Sequence, residues 1–186
     1  MAKADHQIGH ESIDAMLSVA TLLETPRLAG IYTYVFQHEP ATADELRDHL
    51  EIAQTTVYQD LNRLKDRGLL LAGEASPREH IAPPVSLTVE TEGDSYTVTP
   101  ALIAVIARRD EDPDIDLYLD RHGIAGLARA LDYAAQYIAG EMNARVMNRR
   151  HDLTIVEAET ILQVLRDVLV AFDDEAIEID DGFSWS

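Results

Sequence analysis

The chain has 186 residues, 46% of them hydrophobic, and a formal net charge of −19. That length allows one domain or two small ones, and the composition is ordinary for a protein that buries a core. Cysteine is absent, which excludes disulfides, thiolate catalysis and cysteine-ligated zinc; no apolar run approaches the roughly 18 residues of a membrane span.

The charge is unusual in kind as well as size. Lys3 and Lys65 are the only lysines, and acidic clusters such as "RRDEDPDIDLYLD" and "FDDEAIEIDD" are spread along the chain. Self-repulsion on this scale destabilises a compact state at low salt, whereas in molar salt the Debye length falls to about 3 Å. The composition reads as that of an extreme halophile, with an ordinary acidic protein as the alternative. On the halophile reading the charge reflects the solvent, so a nucleic-acid partner is not excluded. The opening "MAKADHQIGHESIDAM" has no apolar signal core, and the expectation is a cytoplasmic protein with no membrane association.

Taken in chain order, the first ten residues read as frayed, and a helix starts near Ser12 with Ile13, Met16, Leu17, Val19, Ala20 and Leu23 inward. Pro26 suits the first turn of a second helix that turns Leu28, Ile31, Val35 and Phe36 to one face. "EPATADEL" breaks that helix and starts a third, in which Thr42 and Glu45 have capping-box spacing. After the short turn "EIA", "QTTVYQDLNRLKD" forms a fourth helix, with Val57, Leu61 and Leu64 inside and Gly68 as its stop. "LLLAGE" and "REHIAP" then read as strands, and "VSLTVE" and "SYTVTP" as a hairpin around "TEGD". From Pro100 the chain returns to helix: one segment opens at Pro113, a long one runs from Ile124 to Arg150, and a last one is capped by Thr154 and Glu157 and ends near Phe172. The expected divisions are an arm and helix at 1–24, a DNA-binding domain with hairpins at 25–99, a helical dimerisation and possible sensor domain at 100–172, and a disordered acidic tail at 173–186.

The fourth helix carries the functional signal. With Val57, Leu61 and Leu64 hidden, it exposes Gln54, Thr55, Thr56, Tyr58, Gln59, Asn62 and Arg63. A solvated helix in so acidic a chain should show aspartate and glutamate there, and only Asp60 intrudes before the "KD" end. Gln and Asn pair with adenine edges, Arg with guanine, and Thr and Tyr carbons meet thymine methyls. The helix start also offers N–H groups and a positive dipole end to phosphate.

"IAQTTVYQDLNRLKDRGLL" resembles the recognition helix of winged helix-turn-helix transcription regulators, a likeness covering about Leu28 to Ala82. "YTVTPALIAVIARR" and the helices after it look like regulators of halophilic archaea with a helical C-terminal domain. The resemblance implies a mostly α fold with a small β-wing, double-stranded DNA as partner, and a recognition helix in the major groove. It implies groove or phosphate contacts at Gln54, Thr55, Thr56, Tyr58, Gln59 and Arg63, and phosphate contacts at Arg47 and at Arg78 in the wing turn. Two departures stand out: Ala53 lies where such regulators often place a capping Ser or Thr, and the wing holds one arginine in place of a basic cluster.

In the C-terminal half, Ile124, Leu131, Ala135, Ile138 and Met142 recur at near-heptad spacing and read as a homodimer interface. Tyr133, Tyr137, Met142 and Arg145 read either as core or as the lining of a small-molecule effector site. His6 and His10 with Glu11, and Asp114, Asp116 and Asp120, make weak metal patterns without a third ligand or a calcium-loop glycine. No catalytic or phosphate-loop motif is present, so neither an enzyme nor a cofactor is expected. Three readings remain open: a homodimeric DNA-binding regulator, a winged-helix adaptor that binds only protein, and a ligand-gated regulator.

Overall fold

The computed structural model describes residues 2–91, 94–141, 143–151 and 153–177, with side chains described at 13–90, 95–141, 143–149 and 153–172. The first helix, α1 (Ala2–Glu24), begins about ten residues before the start expected from sequence. Its apolar residues divide. Val19 and Leu22 are buried, whereas Ile13, Met16 and Leu17 are about half exposed, contrary to their expected inward position. The chain body reaches only the last turns of α1, where the helix packs on α2 (Pro26–Gln37) and α5 (Pro100–Ala107).

Next come the short strand β1 (Ala41–Thr42), α3 (Ala43–Leu50) and α4 (Gln54–Asp66). The start of α3 is held by a complete capping box between Thr42 and Glu45. Glu51 enters the turn between α3 and α4 in the left-handed region, at φ 52°. The end of α4 is a Schellman turn, in which Gly68 at φ 70° donates to Lys65 C=O and Leu69 donates to Leu64 C=O. β2 (Leu71–Ala72) and β3 (Glu79–Ile81) form the wing, and β1 completes an antiparallel sheet in the order β1-β3-β2. The two-residue β1 carried no alternation by which sequence could have found it. A separate hairpin, β4 (Leu87–Thr91) with β5 (Asp94–Val98), leads into α5.

α5 lies at the centre of the molecule: Leu102 to Ile106 are all buried, a run possible only for a helix covered on every side. α2 covers one side and α8 (Ile155–Ile177) another. α6 (Pro113–Ile138) is capped by Asp112 and kinks at Gly123, which adopts φ 66°. It packs along α8, and α7 (Ala144–His151) adds to the same face. The long helix expected from Ile124 to Arg150 is therefore two helices. Gly140, at φ 74°, ends α6 with a second Schellman turn, donating to Tyr137 C=O while Glu141 donates to Gln136 C=O. α8 also runs to Ile177, past the boundary expected at Phe172, so residues 173–177 of the expected disordered tail are helical. The rest of that tail lies outside the described residues.

Tyr32 fastens the wing side of the domain to α2. Its ring is fully buried, its hydroxyl donates to Pro83 C=O at 2.8 Å, and it accepts from Val85 N–H at 3.0 Å. Burial pushes the phenol up to about 12, which keeps it protonated and able to donate. Tyr32→Phe leaves a carbonyl and an N–H without partners, and should lower unfolding stability by about 1–3 kcal/mol. Urea denaturation at fixed molar salt checks this; an unchanged midpoint would remove Tyr32 as an anchor.

Candidate nucleic-acid interface

α4 sits on the domain by the side expected from its sequence: Val57, Leu61 and Leu64 are buried. Gln54, Thr55, Tyr58, Gln59, Asn62 and Arg63 are exposed, and Thr56 is half-buried. These seven residues share one surface. Asp60 does not belong to it, although sequence placed it there. It is only 4% exposed and turns inward to α2, where Arg27 Nε donates to its Oδ2 at 2.7 Å and Arg27 Nη2 to its Oδ1 at 3.4 Å. The outward face of α4 is therefore free of carboxylate from Gln54 to Lys65.

The helix start is equally open. Ala53 gives no side-chain cap, and the first turn has no acidic residue. The positive end of the helix dipole is left to whatever anion approaches it.

The two outlying arginines differ. Arg78 is exposed in the wing turn before β3. Arg47 is engaged with carboxylates of its own helix, 2.9 Å from Asp44 and 2.8 Å from Asp48, so much of its charge is already met. Between α4 and the wing lies a cleft of about 250 Å³ lined by Tyr58, Asn62, Lys65, Arg78 and His80. The sequence reading missed Lys65 and His80. Lys65 had a signal, being one of two lysines in the chain; its Nζ donates to Asn62 Oδ1 at 3.0 Å. His80 had none, since a histidine in a three-residue strand shows no face. Ser18 Oγ donates to Arg67 C=O at 3.0 Å and Arg67 Nη1 donates to Leu17 C=O at 3.4 Å, which ties α1 to the end of α4.

The proposed dimer residues are scattered by the break in the helix. Leu131 is buried within its own chain, Ile124 is half-buried, and Ala135 and Ile138 are exposed. Met142 lies outside the described residues. The proposed effector lining is also divided. Tyr137 and Arg145 share a cleft of about 480 Å³ with Arg166, while Tyr133 is not part of that lining. Asp116 and Asp120 both meet Arg109, at 2.6 and 3.1 Å. The side chains of His6, His10 and Glu11 lie outside the described ones. Among the described residues no three His, Asp or Glu side chains are placed to share a metal, and no helix is long and apolar enough to cross a membrane.

A helix, a short helix, a tight turn, a third helix and a β-hairpin over a small sheet define a winged helix-turn-helix, here continued by a helical unit. Over residues 29–85 the chain matches a family model described as the sugar-specific transcriptional regulator TrmB. Residues 109–174 match a family of unknown function, DUF7437. No curated protein and no solved structure matches the chain.

His80 supplies a test of this geometry. It is buried, Nδ1 has no hydrogen-bond partner among the described residues, and the imidazole is held below its ordinary range by burial first, then by Lys65 and Arg78. Unfolding lets it take up a proton at higher pH than the fold allows. The stability due to neutral His80 is thus complete above the ordinary histidine pKa of about 6.5 and is lost as pH falls below it. Thermal midpoints should fall between pH 7.5 and 5.5, and His80→Gln should flatten part of that slope. An identical slope in the variant would contradict the burial.

Proposed function

We propose that this protein is a sequence-specific DNA-binding transcription regulator that places α4 in the major groove. The observation that carries the reading is the outward face of α4, cleared of carboxylate by the inward turn of Asp60 in a chain of net charge −19. The TrmB match over residues 29–85 supports the same reading. The sugar specificity in that description is not transferred, because the match stops before the C-terminal helices.

Within α4, Gln54, Thr55 and Thr56 lie at the helix start, where N–H groups and hydroxyls meet phosphate. Tyr58 and Gln59 lie one turn in, where side chains reach base edges, with Asn62 beyond them. Lys65 shares the wing cleft with Arg78, Arg63 projects from another side of α4, and all three suit the phosphate backbone. Arg47 makes a weaker candidate because it is already paired. We infer a homodimer, since such regulators read two half-sites with two-fold symmetry. Of the expected seam, Ala135 and Ile138 remain available on the surface of α6.

One observation favours the adaptor reading. Leu71 and Ile81 face each other across the wing and are 56% and 44% exposed, an apolar pair that suits a protein partner. Selection of genomic DNA fragments in molar potassium chloride separates the two. The regulator reading predicts one enriched motif. On that motif, Gln59→Ala should cost about 1–3 kcal/mol and leave random DNA little affected, whereas Arg63→Ala should weaken both by similar factors. No enriched motif, or both variants binding as tightly as wild type, would hand the chain to the adaptor reading.

A further inference from the structure

We propose that the outward stripe of α1 is a homodimer seam, on which α1 of a second copy of this chain lies antiparallel. α1 runs from Ala2 to Glu24, and near its end it gives Val19 and Leu22 to the core of its own chain. Just before that, the same helix turns large apolar residues outward. Ile13, Met16 and Leu17 are 52%, 49% and 53% exposed. With half-buried Ala20 they stand at i, i+3, i+4 and i+7, which places all four on a single helix face. Single exposed apolar side chains are ordinary on a protein surface, whereas a contiguous stripe of them marks an interaction site.

The stripe fits a copy of itself. An interface between two identical chains related by a two-fold axis must be self-complementary. In the antiparallel register centred between Met16 and Leu17, Met16 meets Leu17 of the second copy, and Ile13 meets its Ala20. Long side chains face each other at the middle of the seam. At each end a large side chain meets a small one, so the two helices can approach closely.

The charges on one flank of the stripe are complementary in the same register. Asp14 is exposed there. Further along that flank, Arg67 from the end of α4 lies at the level of Leu17 and Ser18: its Nη1 donates to Leu17 C=O, and its own C=O accepts from Ser18 Oγ. Arg67 is exposed as well, and among the described residues neither Asp14 nor Arg67 enters an ion pair. The register that joins Met16 to Leu17 carries Asp14 of each copy to the level of Val19 in the other, one position from Ser18 and its Arg67. A two-fold axis keeps this flank on one side of the seam, so two Asp14–Arg67 pairs form at once. Exposed pairs of this kind orient an interface more than they strengthen it.

The proposal rests on the inferred homodimer and gives it a seam away from Ala135 and Ile138; the contact itself needs no DNA. It has a consequence for the DNA-binding reading. Arg67 closes α4 and holds α1, so two copies joined at α1 keep their α4 helices at a set separation.

The test is light scattering of the full chain at micromolar concentration in molar potassium chloride. Wild type should be dimeric. Leu17→Glu should raise the dissociation constant at least tenfold with far-UV dichroism unchanged, while Ile138→Glu should leave it within about twofold. The chain has no cysteine, so a single introduced one reports the seam without adding a charge to it. Met16→Cys, beside the axis, should form an interchain disulfide on mild oxidation, and Val156→Cys, at a position 66% exposed on α8, should not. A wild-type monomer would overturn the seam together with the inferred homodimer, and leave the stripe to a different protein or to a lipid surface. A dimer that survives Leu17→Glu, or that cross-links at Val156→Cys and not at Met16→Cys, would overturn the seam alone. Each result is read without DNA, so it stands apart from the outcome of the selection experiment.

Discussion

Asp60 lies on the inner side of α4 with Arg27 reaching over it from the first turn of α2. The pair fixes the rotation of α4. A helix turns 100° per residue, so a slip of one position would bring Asp60 toward the solvent face and push Val57 or Leu61 out. The arginine is half exposed while the carboxylate is nearly sealed. Such a pair contributes less to net stability than to register, because desolvating the carboxylate offsets much of the attraction. Its consequence for the surface is larger. With Asp60 turned inward, α4 presents amides, hydroxyls, a tyrosine and an arginine to the outside, in a protein whose surface is elsewhere crowded with carboxylates.

The same economy of charge runs through the rest of the molecule. Arg47, Arg109 and Arg166 are each held by neighbouring aspartates, and Arg121 meets Glu157. Among the described residues, Arg63, Lys65 and Arg78, at the end of α4 and in the wing turn, enter no such ion pair. On the proposed reading these are the groups left to attract phosphate. Repulsion from the remaining surface is of the kind that salt screens over a few ångströms.

The helix-turn-helix was legible in the sequence because its signals are local and chemical. Thr42 with Glu45, the spacing of Val57, Leu61 and Leu64, and Gly68 each act within one or two turns, and the folded chain uses all of them. The errors came where local signals were ambiguous or tertiary contacts decided. Gly140 in "IAGEMN" was a readable helix stop, overlooked because apolar spacing continued on both sides of it. Ile13, Met16 and Leu17 have core-like spacing, yet their side chains stay about half exposed. The inward turn of Asp60 depends on a partner 33 residues away, and the placement of His80 beneath the wing depends on a strand too short to show a period.

The most direct measurement is an amide chemical-shift map of the labelled protein in molar potassium chloride, titrated with the duplex recovered by selection. The account predicts that the largest shifts fall on residues 54–63 of α4, with smaller ones at Lys65 and Arg78, and that the faces of α6 and α8 stay still apart from any dimer seam. Shifts centred on Leu71 and Ile81, on α6, or on no continuous surface would contradict the placement of DNA on α4.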